Sequence, residues 1–180
     1  MKAITLWQPW AQLIAIGEKR YETRSWETKY RGMIAIHAAK KKPPQQGDLE
    51  SDVFSSMTNA FAKHYGAWRF DWHLGGTRMN SNGSDNGFDI PLGCVIAIAE
   101  LVECWRITDN GHTNGSPLAA QIEGGRYGGK TNIVEGKEIL FGDWTPGRYA
   151  WEFTNMKMLP EPILVKGKQG LWTWDEMPEI

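Results

Sequence analysis

Lys19, Glu22 and Arg24 stand within six residues of one another, with Trp7, Trp10 and Trp26 close by in the chain. Those types suit the binding of a flat anion. Arginine offers a planar fork to phosphate, and lysine a point charge. A carboxylate accepts hydrogen bonds from an exocyclic amine or a sugar hydroxyl, or acts as a general base if its pKa is raised. An indole face stacks on a base for roughly 1–3 kcal/mol. Nucleotides are both flat and anionic. Far along the chain, Lys166 and Lys168 flank Gly167 in a glycine-hinged stretch that could close over a phosphate backbone. The alternative is structural: a Lys19–Glu22–Arg24 ion cluster that stitches a strand to a helix, with Trp10 and Trp26 in the core. Exposed ion pairs add only ~0–1 kcal/mol. On the binding reading, loss of Lys19 or Arg24 should therefore weaken binding with little change in melting temperature.

Bulk properties narrow the classes. A chain of 180 residues is expected to form one domain over 1–180. Its net charge of −1 excludes binding to nucleic acid by overall charge, so any such site must be a local patch. Ten tryptophans are more than a core of this size needs, which leaves some as stacking platforms. Cys94 and Cys104 form no disulfide framework. His37, His64, His73 and His112 are scattered, so no metal or other cofactor is expected. The Met1-Lys2-Ala3-Ile4-Thr5 opening lacks a secretory pattern, and no apolar stretch approaches the ~20 residues of a membrane span. A cytoplasmic protein with no membrane partner is expected.

Several elements must position the candidate residues. Residues 2–5 read as a strand. Pro9 suits the first turn of a helix whose apolar face is Trp10, Leu13 and Ile14, ended by Gly17. Residues 20–26 read as a strand with Arg20, Glu22, Arg24 and Trp26 on one face and Tyr21, Thr23 and Ser25 on the other. Lys19 lies in the connector before it. Residues 33–39 form an apolar central strand, in which His37 reads equally as a core or a site residue. Lys40-Lys41-Lys42 follows as a solvated run. Leu49, Val53, Met57 and Phe61 recur at helical spacing. Residues 93–103 read as a long buried strand and 148–154 as an alternating one. Glycine-rich insertions are expected near 66–92 and 109–147, and the chain closes on a glycine-hinged loop before Trp172 and Trp174. About five strands and two helices give an α+β fold, best fitted by a small closed barrel with helices against it.

Gly17-x-Lys19-x-x-Glu22-x-Arg24 has the GxKxxExR form of ASCH domains, and the likeness extends beyond it. Leu6-Trp7-Gln8-Pro9-Trp10-Ala11 resembles the family's opening, and Arg24-Ser25-Trp26 and Tyr30-Arg31-Gly32 resemble its next elements. Ala38-Ala39-Lys40-Lys41 and Leu92-Gly93-Cys94-Val95 resemble a strand end and a strand start. Val165-Lys166-Gly167-Lys168 and Leu171-Trp172 resemble its close. The resemblance covers about two thirds of the chain and implies a PUA-like small β-barrel flanked by α-helices. It also implies a cleft between barrel and helices suited to RNA, DNA or a nucleotide. The nucleic-acid-binding residues would be Trp7, Gln8, Lys19, Arg24, Trp26, Lys40, Lys166 and Lys168. Some relatives are hydrolases, one branch removing acetyl groups from acetylated cytidine and others acting as ribonucleases. In this chain Lys19 and Glu22 would be the acid/base pair. The amidohydrolase branch has a threonine at the place of Glu22, which this chain lacks, and Thr23 would point to the other side of its strand. Three classes stay open: a nucleic-acid or nucleotide binding module, a hydrolase on a nucleoside or RNA, and a protein-interaction module with a tryptophan-rich surface.

Overall fold

A computed structural model describes residues 1–44, 48–65, 69–71, 77–79, 90–108, 119–124 and 129–176. Much of the two glycine-rich insertions expected from the sequence lies outside these residues. The first strand, β1 (Lys2–Leu6), leads into α1 (Trp10–Ala15). Gln8 stands just before the capping Pro9, and its Oε1 accepts from the Gln12 backbone N–H at 3.0 Å. A helix this short survives by packing, and Ala11, Leu13 and Ile14 are fully buried. Gly17 ends it at φ 77°, a conformation that costs glycine little.

The chain continues as β2 (Tyr21–Arg24), β3 (Gly32–Ala38) and α2 (Ser51–Tyr65), which buries Met57 and Phe61 as its periodicity requires. A separate two-stranded ribbon, β4 (Arg69–Asp71) and β5 (Thr77–Met79), falls where no element was expected. The remaining elements are β6 (Cys94–Thr108), β7 (Ala119–Gly124), β8 (Lys130–Glu135), α3 (Lys137–Leu140), β9 (Tyr149–Leu164) and β10 (Leu171–Thr173).

The long β6 is the spine. Its Cys94–Leu101 portion pairs antiparallel with β3. Trp105–Thr108 then pairs with β7, and β9 runs antiparallel along the opposite edge. The path is β10-β1-β3-β6-β7-β8, and β9 also carries β2. β1 and β3 are parallel, so the chain between them crosses over and carries both α1 and β2.

The fold is α+β, but among the described residues the sheet does not close, so the expected barrel is not confirmed. The apolar residues on both strand faces, which suggested a barrel, have another cause. Ile4, Leu6, Ile34, Ile36 and Ile96 pack with Ala11 and Ile14 of α1 on one side. Ala3, Ala35, Val95 and Ile98 pack with Leu159, Trp172 and Trp174 on the other. A strand covered on both faces reads as a continuous apolar run whether or not its sheet closes. Among the described residues, no helix is long and apolar enough to cross a membrane.

Candidate functional site

The GxKxxExR segment bridges the end of α1 and strand β2. Its lysine does not face solvent. Lys19 is 0% exposed, and its ammonium donates to the carbonyls of Tyr21 and, at 2.8 Å, Phe141. Glu22 stands between two cations, with Oε2 3.6 Å from Lys19 Nζ and Oε1 3.2 Å from Arg24 Nε. Arg24 also donates from Nη2 to the Thr5 carbonyl at 3.2 Å, which ties β2 to β1. The expected solvent-accessible trio is therefore corrected. Lys19 is a buried strut, Glu22 a largely covered carboxylate, and of the three only Arg24 reaches the cationic cleft described next. Gln8 is also 0% exposed; it donates from Nε2 to Pro91 O at 3.0 Å and caps α1 with its oxygen.

The open surface is a cleft of about 1080 Å³ along the ends of β1 and β3 and the 164–170 segment. Trp7, Arg24, Trp26, Lys40, Lys166 and Lys168 all line it. Trp7 is 55% exposed, with the Lys41 ammonium 3.3 Å from its ring centroid. Such a contact is a cation–π pair. Trp26 stands edge-on to the buried Trp151 at 4.6 Å, while Trp151 Nε1 donates to Trp26 O at 3.3 Å. That packing fixes the Trp26 ring at the cleft rim. No carboxylate occurs among the described lining residues.

Glu22 faces a second cleft, of about 620 Å³, which shares Thr5, Trp7 and Arg24 with the first. Its other walls combine apolar residues of α1, α2 and α3 with Asp48, Glu50, Asp143 and Arg148. Arg148 Nε is 3.2 Å from Asp143 Oδ2. The Thr145 hydroxyl donates to Asp143, and this bond above all, with the Thr145 backbone N–H and then the Arg148 charge, holds its carboxyl below the usual range. Glu22 and the cationic rim thus belong to adjoining spaces, with Arg24 in the wall between them.

Sequence reasoning left His37 undecided. It is 1% exposed, yet it lines the floor of the cationic cleft. Its Nε2 lies 3.0 Å from Val165 O, and its Nδ1 has no partner. Burial pushes its pKa below the ordinary histidine value, against the opposing pull of hydrogen bonds to the Val165 and Gly93 backbone. Reasoning from sequence missed the second cleft, because its walls come from α2 and from the 140–148 segment, where no element had been expected. Among the described residues, no group of three His, Cys, Asp or Glu side chains could hold a metal ion. Cys94 and Cys104 are both buried and free.

Comparison with known proteins agrees with the motif. Activating signal cointegrator 1 from Homo sapiens is 32% identical over 103 residues, which is 56% of this chain but 14% of that protein. The Mus musculus counterpart is 31% identical over the same extent. This chain therefore corresponds to a small part of those relatives. The ASCH domain profile matches residues 4–162, nearly the whole chain. By that match and by its GxKxxExR segment, the chain belongs to the ASCH domain family.

Proposed function

We propose that this protein binds single-stranded RNA along the cationic cleft. Arg24, Lys40, Lys166 and Lys168 contact phosphates, and Trp7 or Trp26 stacks on a base. The carrying observation is the make-up of the cleft: four cations, two exposed tryptophans and no described carboxylate, in a chain of net charge −1. ASCH domains are generally thought to bind RNA, which supports the choice of ligand. Stacking on a tryptophan needs an unpaired base, which favours a single strand. Lys19 and Gln8 act indirectly, holding β2 and the start of α1 in place.

A hydrolytic role for Lys19 and Glu22 draws no support from this arrangement. The lysine ammonium is occupied by two carbonyls, and Glu22 is balanced by two cations. The test is fluorescence anisotropy with a short unstructured RNA across a salt series. Four phosphate contacts give a log–log slope of about −3, at about −0.7 per contact for single strands. K166A/K168A should flatten that slope by about 1.4. W7A should weaken binding with the slope unchanged. Wild-type affinity in both K166A/K168A and R24A would refute this function.

A further inference from the structure

Residues 164–170 form a strap along the cleft, and they carry both rim lysines. Two contacts with His37 fix its course. The first is the 3.0 Å contact between His37 Nε2 and Val165 O. The second is steric. A Cβ on Gly167 would lie 2.4 Å from His37 Cε1, 2.7 Å from its Nδ1 and 2.8 Å from Thr5 Oγ1. Residue 167 therefore rests directly on the imidazole, where only glycine fits. The ring is held from behind by Trp172, edge-on at 5.8 Å, whose Nε1 donates to Thr5 Oγ1 at 3.1 Å.

We propose that His37 is the positioning residue for this strap, and that its protonation loosens the strap and weakens the cleft's hold on a phosphate backbone. The binding half of the proposal rests on the RNA-binding function proposed above. Neutral His37 satisfies Val165 O with an Nε2–H and leaves Nδ1 an uncharged, unpartnered acceptor. The imidazolium carries an N–H at both nitrogens; the Val165 and Gly93 backbone groups that face the ring are neutral, and Nδ1 makes no hydrogen bond. Each element packed on the ring offers it no anion. β1 presents Thr5, β6 presents Val95, β10 presents Trp172, and the strap presents Val165 and Gly167. The charged groups of the cleft are Arg24, Lys40, Lys166 and Lys168, all of one sign with the imidazolium. A buried, unpaired cation among cations is costly, and the ring can reach water only if Gly167 lifts away. Lys166 and Lys168 then leave their places on the rim.

The experiment uses the full chain and two readouts. On the free protein, NMR follows the His37 imidazole and the amide exchange of residues 166–170 from about pH 8 to about pH 5. Exchange should quicken in step with the protonation of His37. In parallel, anisotropy follows a fluorescein-labelled uridine RNA of about ten nucleotides. Wild-type affinity should fall about tenfold on acidification, the loss of one charge-assisted contact. H37Q retains an N–H donor for Val165 O but takes up no proton. Whatever its affinity at neutral pH, it should lose the acid-dependent fall. G167A should weaken binding about tenfold at neutral pH, and in an H37A background it should cost less than that, the 2.8 Å approach to Thr5 Oγ1 remaining. Strap exchange that ignores His37 protonation, or identical pH profiles for wild type and H37Q, would overturn the proposal. So would tighter RNA binding on acidification that depends on His37. Absence of RNA binding at every pH would refute the RNA-binding function alone, because strap exchange on the free protein still reports the latch.

Discussion

Lys19 carries its charge inward, and its neighbours explain why. Tyr21 and Thr23 are 4% and 8% exposed, whereas Glu22 and Arg24 on the other parity are partly exposed. Run back by two residues, that alternation puts Lys19 with Tyr21 and Thr23 on the inward side. The signal was in the sequence, but Lys19 was assigned to a connector, where parity has no meaning. Lys19→Met should therefore reduce stability by about 3 kcal/mol in urea unfolding, since it strands two carbonyls and Glu22 in a covered site. RNA affinity of the folded protein should stay within about twofold. Wild-type stability with lost binding would instead make Lys19 a phosphate ligand. Its neighbour Tyr21 gives a pH test. Burial, and then the Glu152 charge, push its phenol up to about 12. An unfolded chain ionises this group near its ordinary value of 10.0. Between those two pH values the folded state holds more protons than the unfolded one, so stability falls as pH rises through that window. Tyr21→Phe should reduce that alkaline loss in denaturant titrations at graded pH.

At the scale of elements, the legible strands were those with an unbroken apolar or alternating run. The β3 and β6 cores are legible nearly in place, though β6 continues to Thr108 because Trp105 and Ile107 stay buried against a new neighbour, β7. The alternation that marks β9 in the sequence ends at Thr154, and Pro160 and Pro162 beyond it are residues that disfavour a strand interior. The structure accommodates them where β9 bulges. Met158 faces Ala97 and Ile163 faces Val95, so the prolines fall in the excess length between the two pairs. β7 and β8 escaped notice because β8 is exposed except at Val134, and glycines bound both strands. The connection between β2 and the 141–148 segment is also invisible in the sequence, because it rests on tertiary contacts of two side chains, Tyr21 edge-on to Trp144 at 5.8 Å and Thr23. Thr23 Oγ1 accepts from the Asp143 backbone N–H at 2.9 Å, and Gly142 leaves its Cγ2 only just enough room. Thr23→Val keeps the shape and removes the acceptor. It should cost about 1–2 kcal/mol in thermal or chemical unfolding, while Thr23→Ser should cost much less. Equal losses in the two variants would place the effect in packing rather than in the hydrogen bond.

At the scale of the whole molecule, charge separates two explanations of binding. The chain has 20 basic and 21 acidic residues, so its mean field cannot draw in a polyanion. The cationic cleft gathers residues from three places in the chain: 24 in β2, 40 after β3, and 166 and 168 between β9 and β10. The crossover that takes the chain from β1 through β2 to β3, and the return of the C-terminal end to β1, are what bring them together. Sequence alone could nominate these residues but not show that they share a cleft, because that depends on pairings between distant segments. At physiological salt a charge acts over only about 8 Å, so position on the surface should outweigh the total. Lys166→Glu and Lys130→Glu lower the net charge by the same two units, and both side chains are exposed. Lys130 lies on β8, which is not part of the cleft lining. If the cleft is the RNA site, Lys166→Glu should lower affinity at least about tenfold. Lys130→Glu should change it less than about twofold under the same salt. Equal losses in both variants would mean that long-range charge, rather than this cleft, governs binding. Loss with Lys130→Glu alone would move the interface to the β8 edge of the sheet.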